Sequence, residues 1–122
     1  MTSAAEETRY VYVFTRIDMP VQDQVCQAIH AGIEAGAQYA DKNTKPHLAF
    51  CTVPDVAELV KIEETCQKRN IAYVLIDEPD DNLGFTAIAT EPIAKSQGKY
   101  FMQYPLWRPI RMTISAGDLG CI

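Results

Sequence analysis

The sequence predicts an α/β fold: a three-layer sandwich in which a four-stranded mixed sheet carries helices on both faces, in the order β-α-β-α-β-β-α. Three observations predict it. Short runs of β-branched and aromatic residues, YVYVF at 10–14, HLAFCTV at 47–53, AYVLI at 72–76 and FTAIA at 85–89, alternate with longer stretches of helical period. Turn-forming residues separate the runs. The chain, at 122 residues and 48% hydrophobic, is large enough for one core without disulfides or metal to staple it.

Residues 1–9 are mostly small, polar and acidic, and are expected to form a leader outside the fold. The domain proper is expected over 10–108, with a tail at 109–122 whose periodicity assigns no element. The first strand, apolar on both faces, belongs in the centre of its sheet. Pro20 fits the start of the helix that follows, which should run to about Tyr39 and bury Val21, Val25, Ile29, Ile33 and Ala37. Beside that stripe, Ala28, Gly32, Gly36 and Ala40 form a row of small residues expected to let the helix lie close to the sheet. Asp23, Gln27, His30, Glu34 and Asp41 form its polar side.

The second helix starts on a capping-box pattern, Asp55 with Glu58 three residues on, and buries Leu59, Ile62 and Cys66. It should end at Lys68 and Arg69, with Asn70 in a left-handed cap. Strict alternation along the fourth strand sets Phe85, Ala87 and Ala89 on one face and Thr86 and Ile88 on the other. A last helix is expected over about 93–104, weakened by Gly98 and closed by Pro105, Trp107 and Pro109.

A formal net charge of -5 argues against a broad nucleic-acid surface, because phosphate binding needs clustered Lys and Arg. Residues 77–91 hold five acids and no base, whereas Lys95, Lys99, Arg108 and Arg111 follow against one acid, Asp118. Cys26, Cys51, Cys66 and Cys121 make no C-x-x-C pair and show no zinc spacing to His30 or His47, so four reduced thiols and no metal or cofactor are expected. With no secretory pattern and no apolar run near 20 residues, the expectation is a cytoplasmic chain with no membrane contact.

Strands of an open α/β sheet deliver ligand-facing residues at their carboxyl ends, beside the next helix. Arg16, Asp18, Gln27 and His30 sit there. Their spelling, R-I-D-M, a short gap, then Q-A-I-H-A, resembles the signature of the type 2 peptidyl-tRNA hydrolase family, R-x-D-L followed by a Gly-Lys-rich turn and A-A-Q-x-x-H-A. The stretch V-P-D-V-A-E-L is similar to the family's A-P-D-E-x-x-L, and Asp77 matches the acid after its third strand. A divergent branch without the lysine turn is closer still, sharing the run 67–71 and the turn at Glu78 and Pro79.

The resemblance spans about 10–108. Counting back from Gln27, the family's functional lysine falls on Asp23 and its other turn lysine on Val21. Of the family's D-A-G-R-T stretch, Asp77 remains, and Thr86 matches the Thr entering the fourth strand. The resemblance implies hydrolysis of the ester between peptide and tRNA, with Asp77 polarising water, Gln27 and Thr86 positioning it or the ester, and His30 assisting. Arg16 and Asp18 are candidate substrate-binding residues, and apart from the resemblance the charge pattern leaves any weak tRNA contact to local basic clusters, of which Lys95 and Lys99 are the candidates. All four catalytic candidates are expected in one cleft.

Two other readings of the residues stay open. The scaffold could be a non-catalytic module that binds RNA or a protein, or an enzyme of different chemistry using His30 as a general base. Expected partners are tRNA or peptidyl-tRNA, bound weakly, or a protein, with the chain a monomer or homodimer.

Overall fold

The structure, a computed structural model, describes residues 8–43, 45–79 and 83–108. It is α/β with a mixed sheet of five strands rather than four. The order is β1 (Arg9–Arg16), α1 (Val21–Tyr39), β2 (His47–Val53), α2 (Val56–Lys68), β3 (Tyr73–Glu78), β4 (Gly84–Thr90), β5 (Ile93–Ala94) and a 3₁₀ helix (Lys95–Phe101). The spatial order is β2-β1-β4-β3, which puts β1 in the interior as expected. β2 runs parallel to β1; β4 is antiparallel to both β1 and β3. No described helix is long and apolar enough to cross a membrane.

The fifth strand replaces the start of the expected last helix. After Thr90 the chain breaks at Glu91 and Pro92, then pairs again with β1, Ile93 opposite Tyr10 and Ala94 opposite Arg9, one residue out of step with β4. Proline has no N–H for the ladder, which is why the break falls there. The Thr90 hydroxyl fills the gap by accepting from Tyr12 N at 3.0 Å.

Beyond Ala94 the helix is a tight 3₁₀ turn. Gln97 accepts from Ala94 N at 3.0 Å to start it. Gly98 lets it press on β1, since a Cβ there would run into the Tyr12 ring and hydroxyl. Phe101 then packs with Tyr12 and Phe14, at centroid distances of 5.3 and 5.2 Å.

Two clusters fill the two faces of the sheet. On one, Leu59, Ile62 and Cys66 of α2 meet Phe14, Ile88, Ile93 and Phe101. Asp55 caps α2 as expected, accepting from Glu58 N at 3.0 Å, and Asn70 takes the left-handed conformation at φ 63°. On the other face, Ala28, Ala31 and Ala35 of α1 lie on Val11, Val13, Val74, Ile76, Ala87 and Ala89.

That second face corrects the expected orientation of α1. The stripe Val21, Ile29 and Ile33 is 44%, 57% and 64% exposed, and the alanines are buried instead. Ala87 and Ala89 present a flat strip of β4, and methyl groups on the helix are what allow close approach to it. Gly32 and Gly36 have no part in this, because a Cβ at either meets nothing within 4 Å. α1 lies across β1, β4 and β3 rather than β2. The uncovered side of β2 leaves an apolar groove of about 370 Å³ between Ile29, Gly32, Ile33, Leu48 and Phe50.

Candidate functional site

The site is built around an irregularity in β4. Ile76 pairs with Ala87 but Asp77 pairs with Phe85, so Thr86 is an extra residue in its strand, a β-bulge. A one-residue slip turns side chains to the other face. Alternation alone placed Thr86 with Ile88 and Phe85 with Ala87; in the structure Phe85 packs with the Ile88 cluster. Thr86 faces α1, where its hydroxyl donates to Gln27 Oε1 at 2.8 Å.

Arg16 and Asp18 hold the bulge. The guanidinium binds both Asp18 oxygens, at 2.8 and 3.0 Å, and donates to the carbonyls of Leu83 and Phe85, the residues just ahead of Thr86. Thr15 Oγ1 donates to Thr86 O at 3.3 Å from the same strand. The fork geometry of Arg suits one side chain bridging a carboxylate and two carbonyls. The R-I-D spelling thus positions the loop entering β4.

Gln24, which the sequence reading passed over, braces the turn between β1 and α1. Its Nε2 donates to Met19 O at 2.7 Å, and its Oε1 accepts from Trp107 Nε1 at 2.8 Å. Trp107 in turn stacks flat on Phe50, centroids 5.4 Å apart. A glutamine near a helix start, just after Gln22 and Asp23, carries no signal of burial, and its partner lies 83 residues away. Only Trp107, an aromatic needing a partner for its indole N–H, hinted at it.

The four catalytic candidates do not share one cleft. Gln27 and Thr86 meet. Asp77 is in step with Tyr73 and Leu75 and pairs with Phe85, all of which pack on the α2 side, so the pleat carries its exposed carboxylate to that side, the face opposite Gln27. His30 is exposed on α1, with Nε2 3.8 Å from Glu34 Oε2. Asp23, half-buried in the first turn of α1, suits the positive end of the helix dipole. Lys95 and Lys99 lie on the 3₁₀ helix, near where β1 begins, away from Gln27. Arg111 and Cys121 lie outside the described residues.

Chemically the pair offers donors and no nucleophile. Thr86 is fully buried, and both acceptors within reach of its hydroxyl are internal, Gln27 Oε1 at 2.8 Å and Ile76 O at 3.4 Å. With Oε1 taken, the Gln27 amide keeps its two N–H donors for a carbonyl or oxyanion. The most perturbed groups lie elsewhere: burial pushes the Cys51 thiol up to about 11 and the Cys66 thiol up to about 12, where Glu63 and Glu91 add to the effect. Burial, with a hydrogen bond to Glu58, raises Tyr104 to about 12. Among the described residues no three His, Cys, Asp or Glu side chains gather to hold a metal.

Fold and site together define an α/β sandwich with a bulge-presented Thr–Gln pair beside the carboxyl end of its central strand. No family model matches the chain, and no curated protein matches it.

Proposed function

We propose that this chain is a type 2 peptidyl-tRNA hydrolase-like domain that has kept the ester-holding half of its site and lost the hydrolytic half. The observation that carries the reading is the Thr86–Gln27 hydrogen bond, which fixes the Gln27 amide as a donor beside the turn from β1 to α1. Arg16 and Asp18, the R-I-D residues of the resemblance, hold the bulge that makes this bond possible.

The hydrolytic half has no matching support. Asp77 stands on the other face, and Asp23 occupies the place of the resemblance's lysine. A carboxylate there opposes both a phosphodiester and a tetrahedral oxyanion. Losing one stabilising donor typically costs about 10²- to 10³-fold in rate, and inverting its charge costs at least as much. The function is therefore recognition of the acylated end of tRNA with little or no turnover, which combines the hydrolase and RNA-binding readings. Release of labelled peptide from an N-blocked aminoacyl-tRNA tests it, with little release expected; strong release by the unaltered chain would refute it.

A further inference from the structure

One face of β2 lies clear of α1, and the described residues end beside it. β2 stands at the border of the sheet, with β1 on its inner side. The chain after the 3₁₀ helix covers part of its outer edge: Thr52 N donates to Pro105 O at 2.9 Å and Trp107 N to Phe50 O at 2.6 Å, with Leu106 opposite Cys51 in antiparallel pairing. That direction carries the chain from Trp107 past Phe50 toward Leu48. Leu48 and Phe50 line the apolar groove of about 370 Å³, together with Ile29, Gly32 and Ile33 of α1. Trp107 stacks flat on Phe50, so the chain leaves the described residues at one end of this groove.

No described residue accounts for the groove's own features. Ile29, Ile33 and Leu48 stand 57%, 64% and 64% exposed around it, an apolar surface of the kind that marks a contact. Gly32 lowers helix stability relative to alanine, and among the described residues nothing lies within 4 Å of where its Cβ would be. Fourteen residues, 109–122, follow Arg108 in the sequence, and in them Ile110, Met112 and Ile114 alternate with Arg111, Thr113 and Ser115. Alternation sets three apolar side chains on one side of an extended segment. Three residues assign no element by themselves, but these come next to a groove of matching character. At about 3.3 Å per extended residue, Ile110 lies about 10 Å beyond Trp107, and Leu48 about 7 Å beyond Phe50. Pro109 falls opposite Leu48 in the register set by Leu106 and Cys51, and it has no N–H for the next bond of the ladder, so the chain is released from the edge there.

We infer that residues 110–114 of this chain's own tail seat on the groove between α1 and β2, with Ile110 and Met112 covering Ile29, Ile33 and Leu48. The contact is intramolecular and does not depend on the ester reading. It also secures Trp107, and through the bond from Trp107 Nε1 to Gln24 Oε1 at 2.8 Å it steadies the turn from β1 to α1.

The full chain tests this in three forms: unaltered, with Ile110→Asp and Met112→Asp in the tail, and with Ile29→Ala and Ile33→Ala in the groove. In proton–nitrogen correlation spectra the tail variant should shift the amides of Ile29, Gly32, Ile33 and Leu48 and leave those of Leu59 and Ile62, under the opposite face, in place. Exposed isoleucine to alanine changes on a helix are ordinarily neutral or stabilising. The groove variant should instead lower the thermal midpoint by at least about 4 °C, and adding the tail substitutions to it should lower the midpoint by less than about 1 °C more. Groove amides unmoved in the tail variant would overturn the inference, as would a groove variant as stable as the unaltered chain. So would light scattering that shows a dimer which the groove variant dissociates and the tail variant does not, since the groove would then belong to a second copy.

Discussion

Thr86 Oγ1 donates to Gln27 Oε1 at 2.8 Å, joining residues 59 apart in sequence, and the bond exists only because β4 carries one residue more than its partner strand at that point. If the bulge sets this pair, the two side chains must be energetically coupled. Thr86→Val keeps the shape and removes the hydroxyl, and should cost about 1 kcal/mol, the net worth of a neutral hydrogen bond. In a double-mutant cycle with Gln27→Ala, chemical denaturation should give a coupling of about 0.5 to 1.5 kcal/mol. Strictly additive losses would mean that the two side chains merely sit close.

The same logic applies where the 3₁₀ helix meets β1. Gly98→Ala places a methyl group against the Tyr12 ring, which is itself held between Phe14 and Phe101. Overpacking of this kind costs about 1 to 3 kcal/mol. The thermal midpoint should drop by several degrees, and Tyr12→Ala in the same chain should make the added methyl nearly neutral. An unchanged midpoint for Gly98→Ala alone would show that the contact is slack.

Alkaline pH should unfold the protein through its buried thiols. The Cys66 and Cys51 thiols are raised to about 12 and about 11 from the usual 9.0. A group whose folded pKa lies above its unfolded value holds its proton more tightly when folded. Its contribution is complete below pH 9 and is lost as pH rises toward 11 and 12. Each thiol gives a slope of up to about 1.4 kcal/mol per pH unit across that window. Under reducing conditions the thermal midpoint should be level between pH 7 and 8.5 and fall by pH 10, less steeply in Cys66→Ala. A midpoint level through pH 10 would contradict the assignment.

Much of this architecture was legible from pattern alone, and particular residues show where it stopped. YVYVF announced a central strand because it is apolar at every position, and Asp55 with Glu58 announced a helix start because a cap is a local bond. The apolar stripe of α1 points to Ile29 and Ile33 as its core face, yet both are exposed. The flat Ala87–Ala89 strip selects alanines instead, and that choice belongs to tertiary packing. No local signal separates a bulged strand from a regular one, so alternation assigns Thr86, a candidate by resemblance, to the wrong side of β4. The resemblance sets Asp77 in one cleft with Gln27, whereas its place in β3, in step with Tyr73 and Leu75, puts it on the α2 side. Pro92, just ahead of the expected last helix, instead interrupts the pairing along β1.

The proposed function is that the ester is held and scarcely cleaved. Its direct measurement is the rate of labelled peptide release from an N-blocked aminoacyl-tRNA, for the unaltered chain, Asp77→Asn and Asp23→Lys. The prediction is release by the unaltered chain within about tenfold of spontaneous hydrolysis, no change in Asp77→Asn, and a gain in Asp23→Lys, where a cation replaces the opposing carboxylate. Rapid release by the unaltered chain that disappears in Asp77→Asn would contradict it, because that carboxylate would then be acting at the ester from a face on which the structure does not place it.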